Sequence, residues 1–487
     1  MAQYLLGIDI GTTGTKTLLF SAEGQLLGRA YRAYPMATPQ VGWSEQDAGD
    51  WWQAVVETVR EVTSDPEIAG NVAAISLSLQ GGTLVAVDSQ SQPLRPAMVW
   101  NDTRCSLQKQ AFLRECGTAQ SLYETTGWAL IDGLPLLQIR WMRENEQSLF
   151  AKTARFLTVP DYISLKMTGI AAVDLSDAGI NQLIDIRKED YDPALLGFAG
   201  ITREQLPKLV RSGEVIGNLT EAAAKELGLT TDCVLVAGAH DQYAVALGAG
   251  ATQAGDILIG SGTCWVVTAI CDKPAFDAGL SQSVAAIPGK WGSLLSLSSG
   301  GVCLDWLRKN MPEADADYAV LNDRIANVRA AEDGLFFYPF SGRSREGVNF
   351  QKATFTGLDL SHDRFHMARA VMEGVVFQAL WMLESFPTKP SKEGLKLTGG
   401  ASKSPVWSQL VADISGLPVR IPEVADMACV GAAILAGVGC GIYRDAAEGY
   451  RHLAVQERVI YPNPEKTAIY KPLQEQYRRI AGILGEA

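Results

Sequence analysis

Histidines and paired cysteines are scarce in this sequence. Among 487 residues there are four histidines and eight cysteines. The cysteines are scattered without any C-x-x-C pair, and the histidines lack the spacing of a metal site. The sequence therefore predicts neither a disulfide framework nor a structural zinc site, and it suits reduced thiols in a cytoplasmic protein.

Long apolar runs and an excess of basic residues are missing as well. No apolar run reaches the ~20 residues that a membrane-spanning helix needs. Met1 leads into a strand pattern without the basic and apolar regions of a signal peptide. The formal net charge of −12 disfavours a general nucleic-acid or acidic-membrane surface. We expect a cytoplasmic protein with neither a nucleic-acid nor a membrane partner.

Two similar strand–loop–strand patterns divide the chain. "YLLGIDIGTTGTKTLLF" begins at Tyr4, and "GDILIGSGTCWVVTAI" begins at Gly255. Mixed helix and strand patterns follow each of them, which predicts an α/β protein of two similarly built lobes. We expect an N-terminal lobe over residues 1–246 and a C-terminal lobe over 247–487, packed together with a cleft between them.

The first glycine- and threonine-rich loop, "DIGTTGTK" from Asp9 to Lys16, offers groups that suit phosphate. Its glycines permit close backbone approach, and its backbone amides and hydroxyls can surround an anion. Asp9 at the strand end is suited to hold hydrated Mg²⁺. Taken alone, the loop fits a plain hairpin turn better. The second loop, Gly260–Thr263, predicts a matching phosphate contact in the other lobe.

A third segment, "LKLTGGASKSP", ends a strand at Thr398 and begins a helix near Pro405. The Gly399–Gly400 pair allows a flat ring to lie against the backbone. A simple strand-to-helix connection explains these glycines equally well, so the prediction of a nucleotide site depends on all three segments together.

These three segments resemble the two phosphate motifs and the adenosine motif of the actin/Hsp70/sugar-kinase superfamily. More narrowly, the chain resembles the FGGY family of carbohydrate kinases. "FTGLDLSHDRFHMARAVMEG" (Phe355–Gly374) matches the family's second signature throughout. "GLPLLQIRWMREN" (Gly133–Asn145) matches the first in part, with Gln138 where a lysine is usual.

The resemblance implies a two-lobed actin-like ATPase fold, related to ribonuclease H, with a central cleft. It also implies transfer of phosphate from ATP, with Mg²⁺, to a hydroxyl of a small sugar. Asp241 in "GAHDQ" corresponds to the family's catalytic base; as the residue before a helix it also suits an N-cap. Asp9 would lie on the Mg²⁺ side, and the nucleotide would contact Thr12, Thr13, Lys16, Gly262, Thr263, Gly300, Gly400, Ala401 and Ser404.

The sugar is expected at Gln80, Gly81, Trp100, Asn101, Asp102 and Gln242. Three segments, including "WSEQD" and "ADISGLPV", are most similar to xylulose kinases, but two departures leave the sugar open. Leu79-Gln80-Gly81 replaces Met-His-Gly, and Gln242 stands where xylulose kinases have asparagine and glycerol kinases have glutamine. A pentulose such as xylulose is favoured, and L-xylulose, ribulose, erythritol and glycerol stay open.

Two other function classes receive less support from the sequence. A non-catalytic ATPase of the superfamily lacks support because no peptide-binding domain or helical lid follows the second lobe. An NAD-dependent oxidoreductase is disfavoured because no G-x-G-x-x-G loop opens a helix. Family resemblance also implies a possible homodimer.

Overall fold

The computed structural model describes residues 3–276, 279–311, 318–331, 334–340, 342–343, 349–350, 352–424, 426–453 and 456–485. Within that range the strands are β1 (Tyr4–Ile10), β2 (Gly14–Ser21), β3 (Leu26–Ala33), β4 (Glu45–Gln46), β5 (Val72–Leu79), β6 (Val85–Val87), β7 (Ala97–Met98), β8 (Arg155–Leu157), β9 (Ala172–Asp174), β10 (Ile184–Asp185), β11 (Asp190–Tyr191), β12 (Lys208–Val210), β13 (Val215–Asn218), β14 (Val234–His240), β15 (Ile257–Ser261), β16 (Trp265–Cys271), β17 (Ser281–Val284), β18 (Trp291–Leu297), β19 (Phe336–Tyr338), β20 (Gly342–Arg343), β21 (Asn349–Phe350), β22 (Thr354–Thr356), β23 (Leu395–Gly399), β24 (Val419–Pro422) and β25 (Glu457–Ile460).

The helices of the described ranges alternate with these strands, as in an α/β protein. They are α1 (Ala48–Val62), α2 (Pro66–Ala69), α3 (Ser106–Glu115), α4 (Ala119–Thr126), α5 (Pro135–Asn145), α6 (Gln147–Lys152), α7 (Val159–Thr168), α8 (Leu175–Ala178), α9 (Pro193–Ala199), α10 (Glu221–Leu227), α11 (Asp241–Gly248), α12 (Gly301–Asn310), α13 (Tyr318–Ala326), α14 (Arg364–Met382), α15 (Pro405–Ser415), α16 (Met427–Gly439), α17 (Ala446–His452) and α18 (Pro464–Gly485). None of the described helices has the length and apolar character to cross a membrane.

The chain forms two compact units that are not simple halves of the sequence. The first unit comprises Met1–Thr252, Ser281–Gly292 and Ala425–Val455, and the second comprises Gln253–Leu280, Ser293–Val424 and Gln456–Ala487. The first junction lies close to the expected boundary after residue 246. The sequence did not indicate that the segment carrying α16 and α17 belongs to the first unit.

The two units have sheets of the same strand order. In the first unit the order is β13-β14-β5-β1-β2-β3, and in the second it includes β25-β24-β23-β15-β16-β18. β1 pairs antiparallel with β2 and parallel with β5, and β15 pairs antiparallel with β16 and parallel with β23. The prediction of two similarly built α/β lobes is therefore confirmed.

The first unit's sheet is buried on both faces. On one face α1 begins after Asp47, whose side chain accepts a hydrogen bond from the Gly49 amide, and it buries Trp51 and Val55. On the other face α16 passes so close to β1 that a Cβ on Gly7 would lie 1.9 Å from the Cys429 carbonyl oxygen. Small residues therefore set the close packing that fixes the end of β1.

Candidate functional site

The β1–β2 hairpin presents Asp9 and Lys16 as direct cross-strand partners. The carbonyl groups of the loop between the strands are held by protein donors: Tyr34 Oη donates to Gly11, Gln46 Nε2 to Thr12, and Tyr31 Oη to Thr13. Because these carbonyls already have donors, they do not repel an anion placed at the loop. Thr12 is half-buried and Thr13 is exposed.

Asp9 has a largely buried carboxyl group, 14% exposed, with several charged neighbours. Its Oδ1 accepts a hydrogen bond of 2.9 Å from Ser78 Oγ, and its Oδ2 lies 3.9 Å from Lys16 Nζ. Burial raises the pKa of Asp9 to about 6, with further contributions from the Asp241 and Asp426 carboxylates, against the lowering effect of Lys16 and Ser78. Additional positive charge at this point would therefore favour the ionised carboxylate.

Lys16 is already paired within the first unit. Its Nζ lies 3.3 Å from Asp426 Oδ1, and Arg29 Nη2 lies 2.8 Å from the other Asp426 oxygen. The carboxylates of Asp9 and Asp426 raise the pKa of Lys16 although burial opposes them. Asp426, which precedes α16 with φ +64°, was not identified from the sequence.

Two glutamines connect the expected sugar segment with the first loop. Gln80 is buried, and its Nε2 donates to Gln46 Oε1 at 3.1 Å; Gln46 Nε2 in turn donates to the Thr12 carbonyl at 2.7 Å. The Oε1 atom of Gln80 has no hydrogen-bond partner within the described residues. The structure thus brings Gln80, which was expected at the sugar, close to Thr12, which was expected at the nucleotide. Gln46, which connects them, was not predicted as a site residue.

Gly81 lies where three further side chains meet. A Cβ built on Gly81 would lie 2.5 Å from Asp177 Oδ1, 2.8 Å from His240 Cδ2 and 3.0 Å from Ile180 Cγ2. Any larger residue at this position would have to displace these side chains, which favours glycine. Asp177 was missed in the sequence because an acid in a short segment after a strand resembles an ordinary helix cap.

The segment Trp100–Asp102 divides into exposed and buried parts. The Trp100 ring is 46% exposed, and its Nε1 lies 3.3 Å from Thr12 Oγ1. This geometry suits an apolar wall rather than a core tryptophan. Asn101 is exposed.

Asp102 is held by structural partners. Its carboxylate is fully buried and accepts hydrogen bonds from the Ser44 amide and from Arg104 Nε and Nη2. Arg104 also stacks over the Trp43 ring, with its guanidinium carbon 3.6 Å from the ring centroid. The expected contact of the Asp102 side chain with sugar is thus not favoured, because its oxygens already have donors.

Asp241 is the first residue of α11, directly after β14. The N-cap of α11 is His240, and no side-chain capping bond is made there. The Asp241 side chain is 36% exposed, and its Oδ1 lies 3.3 Å from His240 Nδ1. Burial lowers the pKa of His240, so that its imidazole is neutral at pH 7. Gln242 follows on α11 and is half-buried.

The second unit contains a cavity of about 370 Å³. Five of the expected nucleotide residues line it, namely Gly262, Thr263, Gly400, Ala401 and Ser404. Gly300 does not line the cavity, although its neighbour Gly301 does. Ser261 and Lys403, which belong to the predicted second and third segments, also line the cavity. The lining residues that the sequence did not indicate are Leu304, Asp305, Tyr318, Asn322, Met372 and Trp407.

Hydrogen bonds hold the loops of this cavity together. The Gly301 amide donates to the Gly262 carbonyl, and Ser261 Oγ accepts from the Ala401 amide while donating to the Thr398 carbonyl. A Cβ on Gly300 would lie 2.0 Å from the Trp265 ring, so the role of Gly300 is close packing.

Ser404 has a structural role at the start of α15. Its hydroxyl accepts from the Trp407 amide and donates to Asn322 Oδ1 at 2.7 Å. Asn322 and Met372 come from helices distant in sequence, and no local pattern marks them as cavity residues.

Known proteins similar to this chain share its length and architecture. Models of the FGGY family of carbohydrate kinases match residues 4–248 (N-terminal domain) and 256–440 (C-terminal domain). The xylulose kinase of Escherichia coli (strain K12) is 30% identical over 485 residues, which cover 98% of each chain. The gluconokinase of Bacillus subtilis (strain 168) is 30% identical over 452 residues, which cover 89% of this chain and 87% of that protein.

A solved structure shows the same two-domain α/β fold. The gluconate kinase from Lactobacillus acidophilus superimposes with a TM-score of 0.90 at 27% identity, covering 100% of this chain and 99% of that one. Because family models match both parts of the chain and the relatives match nearly its whole length, the chain belongs to the FGGY family of carbohydrate kinases and is a phosphotransferase that acts on a sugar.

Proposed function

We propose that the protein transfers the γ-phosphate of ATP, with Mg²⁺, to a primary hydroxyl of a small uncharged sugar, most suitably a ketopentose such as xylulose. The observation that carries this proposal is the Asp241 carboxylate, which is partly exposed and does not cap α11. It lies in the same unit as the buried Asp9 and acts electrostatically on it.

Asp241 is assigned as the general base. Phosphoryl transfer requires positioning, charge neutralisation and removal of the proton from the attacking hydroxyl. Asp241 therefore accepts the hydroxyl proton. The His240 imidazole beside it is neutral and does not form an ion pair with the carboxylate.

Asp9 is assigned to the Mg²⁺ side. Mg²⁺ is typically held by one or two carboxylates together with water and phosphate. In the part of the chain that the structure describes, no three histidine, cysteine or acidic side chains form a metal cage. A single buried carboxylate with acidic neighbours fits this mode of binding. When bound, Mg²⁺ neutralises charge on the phosphates.

Thr12, Thr13 and Lys16 in the first unit, with Gly262 and Thr263 in the second, are assigned to the phosphates. Support for the first group comes from the loop whose carbonyls already have protein donors.

The cavity in the second unit is assigned to the base and ribose of ATP. Leu304, Met372 and Trp407 provide apolar surface for a purine, and Gly400 and Ala401 present backbone beside it. Ser404 acts there mainly by positioning Asn322.

An uncharged sugar is preferred to an aldonate such as gluconate. Gln80, Gly81, Trp100, Asn101 and Gln242 are assigned to the sugar; Asp102 contributes only by holding the segment in place. Their neighbour Asp177 has a pKa raised well above its usual value by burial and then by three other carboxyls, Asp174, Asp161 and Asp241. These neighbours are carboxyl groups, which supply no positive charge to pair with a carboxylate on the substrate.

The test measures sugar-dependent release of ADP by the purified protein. The panel contains D-xylulose, L-xylulose, ribulose, erythritol, glycerol and gluconate, each with ATP and Mg²⁺. We expect the highest kcat/KM with a ketopentose. A preference for gluconate would overturn the assignment of an uncharged sugar, and ATP turnover unaffected by every compound would overturn the proposed reaction. The homodimer implied by the resemblance stays a prediction.

A further inference from the structure

Three buried carboxyls lie near each other in the first unit, and two of them have clear structural partners. Asp161 accepts hydrogen bonds from the amide and hydroxyl of Thr158 at the start of α7. Asp174 accepts from Ser176 at the start of α8 and from Ser212 Oγ. Asp174 is the N-cap of α8, and Asp161 completes the capping box of α7 with the N-cap Thr158, which explains their burial.

Asp177 is different because nothing in the described chain satisfies it. Its side chain is 0% exposed, and neither carboxyl oxygen has a hydrogen-bond partner within the described residues. Leaving a buried polar group unpaired destabilises a folded protein, and native structures rarely do so without a ligand or a functional reason. The fold therefore keeps an unfavourable group in place.

The position of Asp177 indicates what it serves. A Cβ built on Gly81 would lie 2.5 Å from Asp177 Oδ1 and 2.8 Å from His240 Cδ2, so the carboxyl group and the imidazole both border Gly81. Gly81 follows Gln80, whose Oε1 is also buried without a partner, and His240 precedes Asp241. The unsatisfied polar atoms of Asp177 and Gln80 thus lie beside the segments assigned to the sugar and to the base.

We propose that Asp177 is a substrate-binding residue whose carboxyl group takes a hydroxyl of the sugar, alongside Gln80 and Asp241. This inference rests on the proposed function, since it requires a sugar bound at these segments.

The chemistry of the carboxyl matches a sugar hydroxyl. Burial and the neighbouring carboxyls raise the pKa of Asp177 well above its usual value, which favours its neutral, protonated form. A neutral carboxyl both donates and accepts a hydrogen bond, as a hydroxyl does. Asp177 therefore selects for a hydroxyl at this position, because an analogue lacking it leaves the carboxyl unpaired.

The experiment compares Asp177→Ala and Asp177→Asn with Asp161→Asn as the matched control, a buried carboxyl with structural partners. KM for the sugar, KM for ATP and the melting temperature are measured with the panel compound that the wild type uses best. For Asp177→Ala we expect roughly a 10- to 100-fold rise in sugar KM, as for loss of one buried hydrogen bond to substrate. KM for ATP should change less than twofold.

The melting temperature separates a substrate role from a structural one. Asp177→Ala should leave it unchanged or raise it, because an unsatisfied buried group is removed. Asp177→Asn, which still donates and accepts, should recover part of the sugar affinity. Asp161→Asn should leave the sugar KM within about twofold and act on stability alone.

A sugar KM within twofold of wild type in Asp177→Ala would overturn the proposal, as would a lower melting temperature with both KM values changed together. If Asp177→Ala fails to fold, the sugar KM of Asp177→Asn tests the proposal instead. A sugar KM equal to that of the wild type, together with a lowered melting temperature, would contradict the proposal. Because the measurement uses whichever compound the wild type prefers, a wrong sugar class and a wrong role for Asp177 give different results.

Discussion

Lys16 and Asp426 form an ion pair 3.3 Å apart although they stand 410 positions apart in the sequence. The pair joins the first loop to the start of α16 within the first unit. Asp426 adopts the left-handed backbone conformation, with φ +64°. This conformation disfavours most residues, and asparagine and aspartate tolerate it best.

Asp426→Asn and Asp426→Ala should therefore differ in stability. Both remove the charge, which costs about 0.5–1 kcal/mol at a partly exposed pair. Only alanine also carries the left-handed strain, on the order of 1 kcal/mol. Urea unfolding should thus place Asp426→Ala below Asp426→Asn, and equal midpoints would contradict the role of the backbone. Lys16→Met, alone and combined with Asp426→Asn, isolates the pair.

Asp241→Asn should lower kcat about 10²- to 10⁴-fold, the usual contribution of a general base. The substitution keeps size and polarity, so KM for ATP should stay within about twofold of wild type. The matched control is Asp256→Asn, an acid outside the assigned residues, for which we expect wild-type kcat. Steady-state kinetics with the preferred sugar provide the measurement, and full activity in Asp241→Asn would falsify its assignment as base.

Much of the first unit was predictable because its strands and loops carry strong local patterns. Tyr4–Ile10 and Val72–Leu79 were recognisable as strands, and the glycine–threonine loops marked the two hairpins. Asp241 was correctly placed at a strand end, but the structure makes it the first helical residue rather than the cap.

The residues that the sequence did not reveal act through distant contacts. Asp177, Gln46 and Asp426 reach the site by tertiary packing, and no local pattern distinguishes an acid that caps a helix from one that faces a ligand. In the same way, Asn322 of α13 lines the second unit's cavity and accepts a hydrogen bond from Ser404, which lies 82 residues later in the sequence. Asp102 was assigned to the sugar from its place after a strand, which does not reveal that its carboxylate pairs with the Ser44 amide 58 residues earlier.

Gln138, the departure from the first family signature, holds the loop that presents Trp100. Its side chain is fully buried, and its Nε2 lies 2.9 Å from the Gly133 carbonyl oxygen, 3.2 Å from that of Met98 and 3.3 Å from that of Val99. The amide thus serves as a shared donor for three buried carbonyls.

Gln138→Leu should destabilise the protein by about 1–3 kcal/mol, because the buried Gly133 carbonyl loses its donor, whereas the carbonyls of Met98 and Val99 keep the Leu84 and Asp102 amides as donors. Gln138→Lys supplies three donors and should be tolerated better, in keeping with the lysine usual in the family. Thermal unfolding and the sugar KM of both variants test this. A lysine variant less stable than the leucine variant would contradict the donor role.

Gly301 keeps the second loop close to the start of α12. A Cβ at this position would lie 2.6 Å from the Gly262 carbonyl oxygen, so Gly301→Ala must displace the loop. We expect KM for ATP to rise several-fold while KM for the sugar stays within about twofold.

Gly197→Ala is the control, because a Cβ at that position in α9 meets nothing within 4 Å. It should be neutral or stabilise α9 by up to about 1 kcal/mol, and a rise in its KM for ATP would undermine the comparison.

Asp161 should make the protein less stable as the pH rises through the acid range. Burial raises its pKa to about 7, above the ordinary value of 3.8, although hydrogen bonds from Thr158 oppose the shift. Between about pH 4 and 7 the folded state therefore binds more protons at this group than the unfolded state does, and the contribution of Asp161 to stability falls with rising pH. Below pH 4 both states are protonated, and above pH 7 both are ionised.

Asp161→Asn cannot ionise but still accepts from the Thr158 amide, so its stability relative to wild type should improve from pH 5 to pH 8. Melting temperatures of both proteins at those two pH values provide the measurement, and a difference that does not change with pH would show that Asp161 stays ionised in the folded protein.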